Sequence, residues 1–311
     1  MPRLAIIVLA LLVSGCTGTP TPAPSPSASG PWATVPSPIG LTGTQKGLWV
    51  ASANTNAVVR LDPATGTQAA TVQVGRTPLR VAADGDLLWV SVFRAGKLVA
   101  VDTTAGKIAF EADAPGGPEG VAVAFGSVWL VRQDAGELTR FDRTGKAIGH
   151  TPIGGAPRLV EAGPAHVWVT SYTAGTLTRV DPGTGEAHTT PKLCEGAQGI
   201  AVDAGLVWVT CTSGNEVVTV DERTLQVRGR VAVPGEPDGI TVANGRILVA
   251  STEGPTVTEL APGPNGPQVK SARVLGSARR LYDQANVDIE VLAGRIFVSS
   301  VKEDAVYMLA L

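Results

Sequence analysis

A tryptophan returns every forty residues along this chain. Trp49, Trp89, Trp129, Trp168 and Trp208 stand 40, 40, 39 and 40 positions apart, each inside a run such as LWVAS, LWVSV or VWVTS. Leu248 in RILVAS keeps the beat, and Phe297 in RIFVSS arrives nine residues late. Thirteen residues after each Trp an aspartate opens a turn: DPATG at Asp62, DTTAG at Asp102, DRTG at Asp142, DPGTG at Asp181 and DERTL at Asp221. Asp can bond its own backbone in such turns and Gly supplies the positive φ. Between these marks each unit reads as four short strands, in the second copy 79–83, 87–93, 97–102 and 107–112. A forty-residue, four-stranded unit buries its faces only against copies of itself, which predicts an all-β, seven-bladed β-propeller with four-stranded antiparallel blades. A solenoid of the same units is the alternative.

The ends of the chain suggest how the ring closes. The seventh copy reaches Leu311 after its third strand, and WATVPSP (residues 32–38) resembles the AATVQVGRTP that ends the first blade. The N-terminal segment is therefore expected to supply the missing outer strand and remove both open edges. The late seventh beat points to an insertion within residues 261–286, read as a surface loop.

Ahead of the repeat lie two segments of different composition. Arg3, the apolar run from Leu4 to Leu12 and Val13-Ser14-Gly15-Cys16 form a leader too short to span a bilayer. The V-S-G-C stretch resembles the lipobox of bacterial lipoproteins. That resemblance implies a signal peptide over 1–15 and lipidation of Cys16, hence anchoring to a membrane through an N-terminal lipid, on the outer face of the cytoplasmic membrane or in the cell envelope. An ordinary secretory signal is the alternative, and either places the protein outside the cytoplasm. With Cys16, TGTPTPAPSPSASGP makes residues 16–31 a Pro/Ser/Thr tether without core-forming side chains. Residues 32–311 are the propeller. A formal charge of −2 without a Lys/Arg cluster gives no footprint for nucleic acid. A monomer is expected.

The recurrent WV-x-S, V-x-x-D-x-x-T-G and G-x-P-x-G-V-A-V elements, clearest at 75–102, 116–142 and 235–242, resemble the YVTN family of seven-bladed propellers. More distantly, the Pro-x-Gly loop and Trp-bearing strand resemble the streptogramin (virginiamycin B) lyases, which would imply magnesium and catalytic histidine and glutamate on one face. The blade register spreads the three histidines apart: His166 in a turn on the opposite face, His150 and His188 on or near outer strands. A histidine acid/base pair has no material here. No catalytic residue, metal site or cofactor is assigned.

Two constellations remain. Cys194 and Cys211 fall on the same face of neighbouring segments, which outside the cytoplasm suggests a disulfide, with buried thiols as the alternative. The residue after each inter-blade proline enters the innermost strand at the funnel mouth. Those positions are Ile39, Leu79, Glu119, Arg158, Gln198 and Asp238, with Asn286 or Asp288 in the last blade. Neighbouring loops are read as adding Arg76, Arg80, Arg94 and Arg132 on one side and Glu195, Glu236, Glu253 and Asp283 on the other, with Phe93 and Tyr172 for apolar contact. The candidate ligand-binding set is Arg80, Glu119, Arg158, Gln198 and Asp238, for a protein, peptide or glycan. A solvated rim of charges is the competing reading. So is a propeller enzyme, lyase-like or sugar-directed, that uses carboxylates at the mouth, and so is a purely structural envelope protein.

Overall fold

The structure, a computed structural model, describes residues 25–26, 30–263, 266–277 and 286–311. The leader 1–15, Cys16, most of the tether and Asp283 lie outside the described residues.

Among the described residues the strands form seven sheets, each built on a four-stranded antiparallel blade, and one of them carries a fifth strand. The second blade shows the pattern: Pro78–Asp84 innermost, then Leu87–Val92, Lys97–Asp102 and Lys107–Asp113 at the rim. Sequence neighbours pair with sequence neighbours, so each blade is a meander, and the innermost strands surround a central channel. The fifth strand on the sixth sheet, Ser25–Pro26, runs parallel to Gln268–Val274. That outer strand of blade 6 lies within the segment read as a loop insertion, so part of the insertion is regular sheet.

The five repeat tryptophans occupy the second strand of blades 1 to 5 and are buried between adjacent sheets, as are Leu248 and Phe297 in blades 6 and 7. Sandwiching explains why strands such as Gly47–Ser52 and Val167–Ser171 are buried at every position, not at alternate ones. Four indole N–H groups, those of Trp49, Trp89, Trp168 and Trp208, have no hydrogen-bond partner, whereas Trp129 donates to Ala124 O at 3.1 Å. These side chains are present for their apolar area.

Polar ties join each blade to the next. In the Trp-bearing strands a hydroxyl two places past the aromatic reaches across: Thr170 Oγ1 donates to Gln198 O at 2.6 Å, Thr210 Oγ1 to Asp238 O at 2.8 Å and Ser299 Oγ to Ile39 O at 2.7 Å. On the opposite face, third-strand arginines bond the next blade's aspartate turn, as Arg140 Nη1 does to Pro182 O at 2.7 Å and Arg179 Nη1 to Glu222 O at 3.0 Å. The turns are as the spacing suggests. Asp62 Oδ1 accepts the amides of Ala64 and Thr65, and such amide donations hold Asp62, Asp102 and Asp181 below the usual carboxylate range.

The N-terminal strand closes the ring. Ala33 pairs with Val306 and Thr34 with Ala305, so Ala33–Thr34 is the outer strand of the last blade. Trp32 N donates to Val306 O and Val35 N to Asp304 O, both at 2.9 Å, and the Trp32 ring packs 4.9 Å from that of Phe297. Cys194 and Cys211 form a disulfide with Cα atoms 5.9 Å apart.

Candidate functional site

The pairing register sorts the channel lining into levels. Leu41, Val81, Val121, Val160, Ile200, Ile240 and Ile289 each pair with the residue after the buried aromatic or Leu248 of their blade, so they share one level. Two residues earlier is the upper level, carrying Ile39, Leu79, Glu119, Arg158, Gln198, Asp238 and, in blade 7, Val287. One residue earlier is a second level, with Arg80 in blade 2, Leu159 in blade 4, Asp288 in blade 7 and glycine elsewhere. Each innermost strand that starts with Pro or Ala carries a register irregularity between these levels, for example between Pro78 and Val81. In the four blades that carry glycine at the second level there is no room for a side chain, because the neighbouring inner strand lies against it. A Cβ on Gly40 would come within 2.6 Å of Leu79 O, and one on Gly120 within 2.7 Å of Arg158 O.

Two expectations are corrected by this arrangement. Arg80 is a strand residue at the ring centre, 6% exposed, and belongs to no loop. In blade 7 neither Asn286 nor Asp288 takes the upper position: Val287 does, two residues before Ile289. Of the flanking loop charges among the described residues, only Arg94 lines the funnel cavity. Arg132 pairs instead with Glu137 at 2.5 Å, and Glu195 with Lys192 at 2.5 Å, since each finds an opposite charge on its own blade or adjoining loop. The histidines lie where the register puts them, with His150 and His188 on outer strands and His166 3.9 Å from Glu222 beside Trp168.

The five residues Arg80, Glu119, Arg158, Gln198 and Asp238 are brought together with Asp288 as a belt across the channel. Arg158 Nε lies 2.9 Å from Glu119 Oε1, and Arg80 Nη1 lies 3.4 Å from Asp288 Oδ2. Asp238 Oδ2 accepts the amide of Val287 at 3.0 Å, and Asp288 Oδ2 that of Leu41 at 2.9 Å, so both carboxylates also tie blades together. The Arg158 guanidinium lies 5.5 Å from the centre of the Tyr172 ring and 3.5 Å from Asn286 Oδ1.

Burial dominates the electrostatics. Glu119, 2% exposed, is pushed up to about 7 by desolvation, which outweighs the opposing pull of Arg158 and Arg80. Asp238 is raised for the same reason. Burial would lower Arg80, yet Asp288, Asp238 and Glu119 together hold it above its ordinary value, so it remains a cation. Several buried polar atoms still have no hydrogen-bond partner: Arg80 Nε and Nη2, Arg158 Nε (close to Glu119 but poorly aligned), Gln198 Oε1 and Asp238 Oδ1. Buried groups of this kind ordinarily meet an ordered water or a ligand.

Above the belt, on the inter-blade-loop face, opens a funnel cavity of about 400 Å³. Glu119 and Arg158 form part of its floor, and Asn54, Phe93, Arg94 and Gln133 stand on its walls. Such a concave site, with mixed apolar walls and converging charges, can bind a polar ligand and orient it. Among the described residues no three His, Cys, Asp or Glu side chains gather as a metal-ligating group. The donor set of the lyase resemblance is therefore not reproduced, since no histidine reaches the funnel.

A family model described as outer membrane protein assembly factor BamB matches residues 54–170. No curated protein matches the chain. Among solved structures, a streptogramin B lyase superposes with a TM-score of 0.73 at 16% identity, over 88% of this chain and 93% of that one. Virginiamycin B lyase from Staphylococcus aureus gives 0.71 at 17%, over 88% and 95%. Kuenenia stuttgartiensis hydrazine synthase gives 0.76 at 14%, over 89% and 96%. The likeness is one of fold. The chain is thus a β-propeller, and its own side chains must carry any statement about chemistry.

Proposed function

We propose that this protein is a lipid-anchored, extracytoplasmic binding module of YVTN-like repeats. Its propeller captures a protein, peptide or glycan in the funnel on the inter-blade-loop face. The observation that carries this reading is the funnel floor, where Glu119 and Arg158 close a cavity of about 400 Å³ above buried, unpartnered polar atoms of Gln198 and Asp238. A ring that served only to hold blades together could be filled with apolar side chains at no desolvation cost. The V-S-G-C leader supports the anchor, and the eight residues between Cys16 and the paired Ser25 would let the propeller stand roughly 25 Å from the lipid.

A second reading has one observation in its favour. A carboxyl poised at about 7 beside an arginine is suited to general acid/base work, which makes Glu119 the residue on which a lyase-like or sugar-directed enzyme would depend.

Site-directed photo-crosslinking on intact cells tests the proposal. A photoreactive residue at Phe93 should trap one recurrent partner, and the same residue at Arg143, on the opposite face, should not. Equal trapping from both positions would overturn the funnel as the binding surface. Turnover of a candidate substrate that disappears in Glu119→Gln would favour the enzyme.

A further inference from the structure

Arg94 and Arg158 are the cations of the funnel lining, and both keep surface open to it. Arg94 is exposed, and among the described residues no carboxylate pairs with it. Arg158 comes from the innermost strand of blade 4 and keeps 23% of its side chain exposed. Its guanidinium lies between two other lining residues, with Glu119 Oε1 2.9 Å from Nε and Asn286 Oδ1 3.5 Å from Nη2. Glu119 supplies the carboxyl of this lining, and with 3% of its side chain exposed it presents almost no surface to the cavity. An anion that enters the funnel therefore meets guanidinium groups first. Below the belt the balance is reversed. There the channel holds a chamber of about 320 Å³ that carries Glu161, open to it, and the half-buried Glu290; burial pushes the two up to about 7 and about 8.

The rest of the funnel lining narrows the class of anion. Gln133 has no side-chain partner among the described residues, Asn286 brings a second amide, and Phe93 a single ring. A side-chain amide carries both donors and an acceptor, as each unit of a peptide backbone does. A glycan would draw on ionised carboxylates to accept its hydroxyls, and the carboxyl of this lining is buried against Arg158.

We propose that the funnel takes the C-terminal end of a peptide, its carboxylate held by Arg158 and steered by Arg94, and that Glu119 competes with that carboxylate for Arg158. This rests on the funnel being the binding surface and adds which end of the ligand enters it. A neutral Glu119 leaves Arg158 to the ligand, whereas an ionised one pairs with Arg158 and repels a second carboxylate. The other charged groups felt at Glu119 are Arg80 on blade 2, Asp238 on blade 6 and Asp134 in the loop after the second strand of blade 3. With Glu119 titrating at about 7, its neutral fraction falls about tenfold from pH 6 to pH 8, and affinity should fall with it.

The test passes a library of N-acetylated, histidine-free tripeptides over immobilised propeller, as free acids and as C-terminal amides, with retained peptides read by mass spectrometry. Acetylation keeps the peptide's terminal charge constant across the pH range. At least one free acid should bind with a dissociation constant at or below about 1 mM at pH 6, and its amide about tenfold more weakly or worse. Arg158→Gln and Arg94→Gln should each cost about tenfold, and the second alters an exposed side chain, so a folding defect in the first does not decide the matter. From pH 6 to pH 8 wild-type affinity should fall about tenfold, while that of Glu119→Gln stays level. The proposal is overturned if amides bind as well as acids, if no peptide is retained, if glucuronate binds in their place, if Arg94→Gln binds like wild type, or if the wild-type profile is flat. A partner trapped through Phe93 whose affinity ignores its C-terminal carboxylate would overturn this assignment and leave the funnel as the binding surface.

Discussion

Glu119 makes the belt's energetics measurable. Its carboxyl ordinarily titrates at 4.5 and in the folded ring at about 7, with burial as the main cause. A group whose folded value is raised contributes stability that is fully present below the unfolded value and is lost as pH rises through the folded value. At about 1.4 kcal/mol per pH unit, the gap is worth about 3 kcal/mol, lost between about pH 4.5 and pH 7. Glu161 and Glu290 slope the same way, more weakly for Glu161 because it faces the chamber's solvent, so the wild type alone cannot isolate the effect. Glu119→Gln can, because the amide is nearly isosteric and does not titrate. Urea midpoints at pH 5, 6, 7 and 8 should show wild-type stability falling with pH more steeply than that of the variant, the two profiles diverging by about 3 kcal/mol across the range. Parallel profiles would refute the claim that Glu119 is a desolvated carboxyl.

Further outcomes follow from other contacts. The Cys194–Cys211 bridge closes a separation of 17 residues. Its loss in Cys194→Ser/Cys211→Ser should therefore cost about 3 kcal/mol, with a Tm lower by roughly 6 °C by calorimetry. Gly120→Ala forces a Cβ against the backbone of Arg158, Leu159 and Val160 and should cost about 3 kcal/mol, whereas Gly149→Ala, whose Cβ would meet nothing nearer than 3.8 Å, should change the urea midpoint little. Deleting residues 32–36 removes Val35, which is 1% exposed, and the outer strand of blade 7, and should lower Tm; an unchanged Tm would mean that this pairing does not hold the ring.

The fold was legible because its signal repeats: a buried Trp and a capped Asp turn at fixed distances leave little choice about the unit. The upper channel level was legible for the same reason, each inter-blade proline marking Glu119, Arg158 or Asp238, and Ala197 marking Gln198. The second level was not. Glycine occupies it in four blades, and the irregularity after each proline hides the phase, so Arg80 read as a loop charge and Asp288 as a rival for Val287's place. Glu161 and Glu290 were missed because nothing marks their positions until pairing sets them opposite Trp168 and Phe297. The loop charges misled in the other direction, since proximity to the mouth along the chain does not decide whether a long side chain turns inward or pairs beside it, as Arg132 and Glu195 do.

The most direct test of the central claim is equilibrium binding of the partner trapped through Phe93 to two pairs of variants. Asn54→Ala and Arg94→Ala alter exposed side chains on the funnel wall, whereas Arg143→Ala and Lys146→Ala alter the opposite face. The account predicts that the funnel pair weakens binding about tenfold or more with Tm unchanged, and that the opposite-face pair leaves it at the wild-type value. Equal affinity of both pairs for the partner would contradict it.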